Sequence, residues 1–374
     1  MTILSAKVSD VDTVGIGLAG VWDVIPQWLI DATEKSIRAT PGELVSRMTK
    51  QNQLGLLSDV LYKTSLGDLL TEDLARRVSG ELNAIQFVQD VIVNELAQVD
   101  KLLGHLNISP VYLKGIVSRN LYDVSYHRPF NDIDVLVDEE HALLSQAALK
   151  EMGFRQGRFN KSTAQFVPSF DAEEIADTGA YELPKLTKMV QVELIEPRMA
   201  LNMQSNRLVI ENGQVLVPVP IEIHYSLEAD RRFPLDSRPA NISATPNGRE
   251  LLPEIQLAYL AYKLYTDIIL LRARAGIKLL GDAIRLLKRY DNEIEWGGLL
   301  SRWHARGICA PLRYLLEHAS NIYDCDFPKY EIRACPCRDL SDEIGDVTYG
   351  SPFDLGDFLP FLALSPPRFE LQHN

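Results

Sequence analysis

The sequence predicts an α+β chain in which a strand-bearing core is framed by helical regions at both ends. Three observations support this. Apolar residues recur at helical spacing over roughly the first 105 residues, the period switches to strand alternation at Val111, and helical spacing returns after about residue 255. With 374 residues the chain is long enough for two or three compact units. The composition changes divide it into an N-terminal helical region (1–108), a strand-bearing core (109–230), a C-terminal helical region (231–323) and an irregular tail (324–374).

In the first region, Thr40-Pro41-Gly42-Glu43 reads as a capping box with proline at the first helical position. Thr71 opens a second helix, in which Leu74, Val78, Leu82, Ile85, Val88 and Leu96 keep one face apolar as far as about Leu106. Glu81, Asp90 and Glu95 are expected on its polar face. Val111-Tyr112-Leu113, short and β-branched or aromatic, is a strand that ends at Lys114-Gly115, and a short helix from Ile116 to Tyr122 follows. Phe130 to Val137 alternates as a strand, Asp138 starts a helix and Gly153 ends it. Strand character returns at Met189–Ile195, at Arg207–Val219 (broken by Glu211-Asn212-Gly213) and at Ile221–Tyr225. Four prolines, Pro234, Pro239, Pro246 and Pro253, mark a connector over 231–253. Beyond it, Ile255–Leu271, Ile277–Lys288, Trp296–His304 and Pro311–Tyr323 have helical periodicity.

Charge narrows the function. Lys plus Arg number 38 against 51 Asp plus Glu, a formal net charge of −13, so the chain as a whole repels a phosphate backbone and nucleic acid is a disfavoured partner. Asp10, Asp12, Asp23 and Pro26 interrupt any N-terminal targeting segment, and no run of 18 apolar residues predicts a membrane span. Cys325, Cys335 and Cys337, with His318 shortly before, lack the paired spacing of a zinc site. Free thiols in a cytoplasmic protein are expected instead.

Asp132 and Asp134 are the most informative pair. Residues i and i+2 of a strand share a face, and two carboxylates there repel unless a cation neutralises them. Ile133, Val135 and Val137 on the other face anchor the strand in a core. Carboxylates so placed are what Mg²⁺ needs when it must also grip phosphate oxygens, although D-x-D alone equally fits two solvated aspartates at a strand end. Gly115 lies at a strand-to-helix turn where backbone N–H groups can approach a phosphate, Lys114 can add a full charge, and the Arg128 guanidinium suits phosphate. An ordinary turn, and a surface ion pair of Arg128 with Asp123 or Asp138, are the plainer readings. Glu222 and His224 share a strand face in Ile221-Glu222-Ile223-His224. If that strand neighbours the Asp132 strand, Glu222 completes a three-carboxylate cluster able to hold two Mg²⁺. Glu182 and Glu193 are alternative third carboxylates. His224 binds a substrate group, orients Glu222 or is structural.

Leu113-Lys114-Gly115, Leu121-Tyr122, Arg128 and Asp132-Ile133-Asp134-Val135-Leu136-Val137 together resemble the core signature of the DNA polymerase β-like nucleotidyltransferase superfamily. More narrowly they resemble a bacterial family of uncharacterised nucleotidyltransferases with an L-K-G … R … D-I-D-L-L-V pattern. Leu149–Phe154 and Ile221-Glu222-Ile223-His224-Tyr225 continue the match, and Leu257–Leu287 with Asp282 is similar to the family's C-terminal helices. The resemblance spans roughly residues 95–323. It implies a mixed-sheet nucleotidyltransferase core and transfer of a nucleoside monophosphate from an NTP, ATP first among them, with release of pyrophosphate. In that scheme Asp132, Asp134 and Glu222 bind two Mg²⁺, Lys114 and Gly115 handle the triphosphate, and Arg128 also contacts phosphate. Tyr262, Lys263 and Tyr265 stand where relatives often carry histidine, so acceptor recognition differs. A small-molecule acceptor is the leading expectation. Nucleotidylation of a protein or carrier-bound peptide, and a non-catalytic antitoxin-like binding module, are the alternatives.

Overall fold

The computed structural model describes residues 16–160, 165–168, 182–193, 208–211, 214–227, 242–245, 248–265, 276–290, 292–305, 311–312, 315–316 and 319. The helices are α1 (Gln27–Ala39), α2 (Pro41–Lys50), α3 (Leu54–Lys63), α4 (Glu72–His105), α5 (Gly115–Ser118), α6 (Glu139–Glu151), α7 (Pro253–Tyr265), α8 (Gly276–Tyr290) and α9 (Trp296–Ala305). The strands are β1 (Val111–Leu113), β2 (Ile133–Leu136), β3 (Arg155–Asn160), β4 (Gln165–Pro168), β5 (Leu186–Glu193), β6 (Val209–Glu211), β7 (Gln214–His224), β8 (Ile242–Thr245) and β9 (Gly248–Leu251). The chain forms two compact units, one of them made of Asn52–Gly55 and Leu70–Leu252. The other combines Leu56–Leu69 with the described parts of Met1–Gln51 and Pro253–Asn374. The expected Cys325–Cys337 cluster and the tail 324–374 lie outside the described residues.

In the first unit a seven-stranded mixed sheet runs in the order β1-β2-β7-β5-β3-β4, with β6 also on β7. β2 and β7 are parallel, and the other pairs are antiparallel. The alternation that predicted the strands also sorts the two faces. Ile133, Val135, Val215, Val217, Val219, Ile221 and Ile223 point one way, into a core with Val88, Ile92, Leu96, Val99 and Leu103 of α4 and Leu149 of α6. Asp134, Glu222 and His224 point the other way. The polar side chains therefore sit on the face opposite this core.

Thr71 caps α4 as expected, its hydroxyl accepting from the Leu74 N–H. The end of α6 closes as a Schellman motif. Gly153 adopts φ +96°, its N–H donates to the Lys150 carbonyl, and Phe154 N–H donates to Leu149, with both apolar side chains buried. Four expectations need correction. Thr40 makes no side-chain cap, because its N–H closes α1 on the Ser36 carbonyl and its φ −149°, ψ 66° is not a cap conformation. Glu81 and Glu95 are buried rather than solvated, and Glu95 pairs with Lys188 of β5, which shares the core face.

The strands read separately around Val219 and Ile221 are one strand, β7. Its prolines, Pro218 and Pro220, made the sequence look broken. They fall between the stretch paired to β6 (214–216) and the stretch paired to β2 (221–224), where β7 is paired only on its β5 edge, so on the other edge a missing N–H costs no ladder bond. The proline-rich connector contains the β8–β9 hairpin. β9 packs beside β1, and Asn120 donates to Glu250 at 3.3 Å.

In the second unit α7 and α8 pack together. α8 turns Leu280, Ala283, Ile284 and Leu287 inward, Arg285 donates to the carbonyls of Gly281 and Ala19, and Lys288 pairs with Asp23. Among the described residues no helix is long and apolar enough to cross a membrane.

Candidate active site

Register assembles the site. Leu113 of β1 lies opposite Asp134 of β2, and Asp134 lies beside Glu222 of β7. On the far edge of β7, Leu186 pairs with Ile221, so the same register carried one residue further sets Lys185 beside Glu222. A row of charged side chains, Lys114, Asp134, Glu222 and Lys185, thus crosses four adjacent strands. Asp132, just before β2, joins the row through Lys185.

The charges interlock. Lys114 Nζ is 2.5 Å from Asp134 Oδ1 and 3.8 Å from Glu222 Oε2. Lys185 Nζ is 2.5 Å from Glu222 Oε1 and 3.4 Å from Asp132 Oδ2. His224, fully buried, sets Nε2 3.1 Å from Asp134 Oδ1 and Nδ1 3.3 Å from Glu182 Oε2. Burial of Asp134 pushes its pKa up, but the His224 hydrogen bond and the Lys114 ammonium outweigh this and hold it well below the usual carboxylate range. Asp132 moves the other way, raised first by burial and then by the Asp134 charge. Burial also opposes the charge on Lys185, yet Glu222 and Asp132 prevail and raise its pKa.

The residues expected from sequence meet here to different degrees. Asp132, Asp134, Glu222, His224 and Lys114 come together. Glu182 bridges to the His224 backbone and meets the outer nitrogen of that ring, and Glu193 pairs with Gln214 at the other end of β7. Gly115 is required by packing. A Cβ there would lie 2.6 Å from the Phe130 Cβ. Arg128 is buried against this turn, with Nη1 donating to the Pro129 carbonyl at 3.2 Å. Gly115→Ala is therefore expected to destabilise the sheet unit by about 1–3 kcal/mol through overpacking, read as a lower urea midpoint. A midpoint equal to wild type would show that Phe130 yields freely.

Sequence reasoning missed Lys185. Its only signal is the alternation of Lys185, Thr187 and Met189 against Leu186 and Val190, which reveals a strand but not the neighbour of that strand.

The donor set fits a hard divalent cation. One ligand atom each from Asp134, Glu222 and His224 lies within 4.8 Å of the others, and two of these are carboxylate oxygens, the donors that suit Mg²⁺ or Mn²⁺. Lysine ammoniums already stand beside those oxygens, so the carboxylate row faces positive charge. The imidazole, hydrogen-bonded to Asp134, fixes the carboxylate's orientation.

No curated protein and no solved structure matches the chain. The family model described as uncharacterised nucleotidyltransferase does match, over residues 39–324, which takes in the sheet, the carboxylate row and the C-terminal helices. The chain belongs to the uncharacterised nucleotidyltransferase family.

Proposed function

We propose that the protein transfers a nucleoside monophosphate from an NTP, ATP first among them, to a small-molecule hydroxyl and releases pyrophosphate. The observation that carries this reading is the row Asp132, Asp134 and Glu222 on one sheet face, brought together by the parallel pairing of β2 and β7. These three carboxylates would hold Mg²⁺, two ions by the family resemblance. Bound there, the metal supplies positive charge to the phosphate oxygens.

The chain's own groups do the rest. Glu222 accepts the proton from the acceptor hydroxyl. The acceptor oxygen bonds to the α-phosphorus as the bond from that phosphorus to the bridging oxygen of pyrophosphate breaks. The departing pyrophosphate takes the bonding pair. His224 keeps Asp134 oriented, and Lys114 is within reach of the phosphates. The net charge of −13 favours a small acceptor over nucleic acid.

The test is to incubate the full chain with Mg²⁺ and each α-labelled NTP, against a metabolite pool and against a protein lysate. Label in a low-mass product together with released pyrophosphate is the expected result. Label only in protein would move the acceptor class to polypeptides, and no pyrophosphate with any NTP would overturn the reading.

A further inference from the structure

We propose that Lys114 and Lys185 are resident counter-cations that keep a free divalent ion out of the carboxylate row until a nucleotide triphosphate arrives to take their ammoniums. This rests on the nucleotidyl-transfer reading and adds the order in which that site is loaded. Each lysine bridges two carboxylates, Lys114 spanning Asp134 and Glu222, and Lys185 spanning Glu222 and Asp132. Between them they touch all three. An ammonium therefore stands beside every carboxylate that a metal ion would share, and a free dication meets two positive charges at close range.

The backbone of Lys114 gives independent support. It adopts φ 51°, ψ −128°, a region that residues with side chains rarely enter and that glycine enters freely. Tyr112 lies on the core face and Leu113 opposite Asp134, so strict alternation would send Lys114 back toward the core. The turn ends the strand there instead, and Nζ reaches Asp134. Such strain persists only where the surroundings over-determine it. Here the Lys114 carbonyl accepts from the Val117 and Ser118 N–H groups, and the ammonium pairs with the two carboxylates. Lys185 gains its place differently, from the strand register that sets it beside Glu222.

A triphosphate offers anionic oxygens to both lysines, which frees the carboxylates. Nucleotide and metal then raise one another's affinity by the same factor. The experiment is a calorimetric Mn²⁺ titration of the full chain without nucleotide, comparing wild type with Lys185→Met and Lys114→Gly. Both variants are expected to bind Mn²⁺ at least tenfold more tightly than wild type, and their melting temperatures are expected to rise more on adding Mn²⁺. Lys114→Gly accepts the φ of 51°, so its fold is not at risk from the backbone. An ATP analogue with a non-hydrolysable α,β bridge should tighten Mn²⁺ binding at least tenfold in wild type and by less in the variants. Unchanged or weaker Mn²⁺ binding by both variants overturns the proposal. If wild type bound no NTP even with Mn²⁺, the transferase reading would fail, while the nucleotide-free comparison would still decide the role of the lysines.

Discussion

Asp134→Asn is expected to lower nucleotidyl transfer by at least three orders of magnitude, about 4 kcal/mol of transition-state stabilisation. The substitution keeps the shape and the contact with His224 but removes the negative charge that faces Lys114 and that would hold Mg²⁺. Stability should fall as well. Asp134 is buried and engages both Lys114 and His224, and removing one partner from a buried charge network costs about 3–5 kcal/mol. Asp134→Ala is expected at that end of the range. Asp132 differs. Its side chain is about one-third exposed, and its pKa is raised by burial and by the Asp134 charge, so its ionised form is disfavoured in the fold. Asp132→Asn should abolish transfer with stability unchanged or slightly higher at neutral pH. Repulsion between the two aspartates alone would have either removal relieve strain; the effects are expected to differ because Asp134 is buried with Lys114 and His224 against it, whereas Asp132 is partly exposed beside Lys185.

The pH dependence follows from the same asymmetry. A carboxylate whose folded pKa is depressed adds stability that is complete above its unfolded value near pH 4 and is lost as pH falls toward the folded one. Asp134 is in that class. Asp132, raised, contributes in full below its unfolded value and loses that contribution as pH rises through the folded one. Chemical unfolding at pH 7 and at about pH 2 should show Asp134→Asn less stable than wild type at pH 7, with the gap narrowing in acid. A gap of equal size at both would mean that packing rather than charge sets its cost.

Much of the sheet unit was legible because its signals are local. The alternation of Ile133, Asp134 and Val135 gave both the strand and the face, Thr71 gave the start of α4, and Gly153 gave the end of α6. What stayed hidden depends on neighbours distant in sequence. Glu95 looked like a solvated helix residue because nothing in α4 announces Lys188, which lies 93 positions away. Lys185 carried no motif, and only its antiparallel pairing with β7 makes it a member of the site. β7 looked like two strands because proline argues against a strand interior. Only the register shows that its prolines fall where one edge of the strand has no partner. The β8–β9 hairpin was masked by the same residue type, although Asn247-Gly248 is a turn signal.

Glu222→Gln is expected to separate binding from chemistry. The triphosphate and one metal ion can still be held by Asp132 and Asp134, so NTP affinity in the presence of Mg²⁺ should stay within a few-fold of wild type. The transfer step should fall by about two to four orders of magnitude, because glutamine cannot take the acceptor's proton and supplies no charge where the acceptor oxygen becomes anionic. One competing effect must be counted. Glu222 accepts from Lys185 at 2.5 Å and lies 3.8 Å from Lys114, so the substitution leaves both lysines with one anionic partner fewer. Those ammoniums then turn more readily to a triphosphate, and NTP affinity should if anything rise. Had Glu222 been only a structural partner of Lys185, glutamine would cost stability and leave the single-turnover rate intact. Nucleotide affinity and single-turnover rate measured on one Glu222→Gln preparation distinguish the two. An unchanged rate would hand the third-carboxylate role to another group, and Glu182, 3.3 Å from His224 on the same side of the sheet unit, would be the next to test.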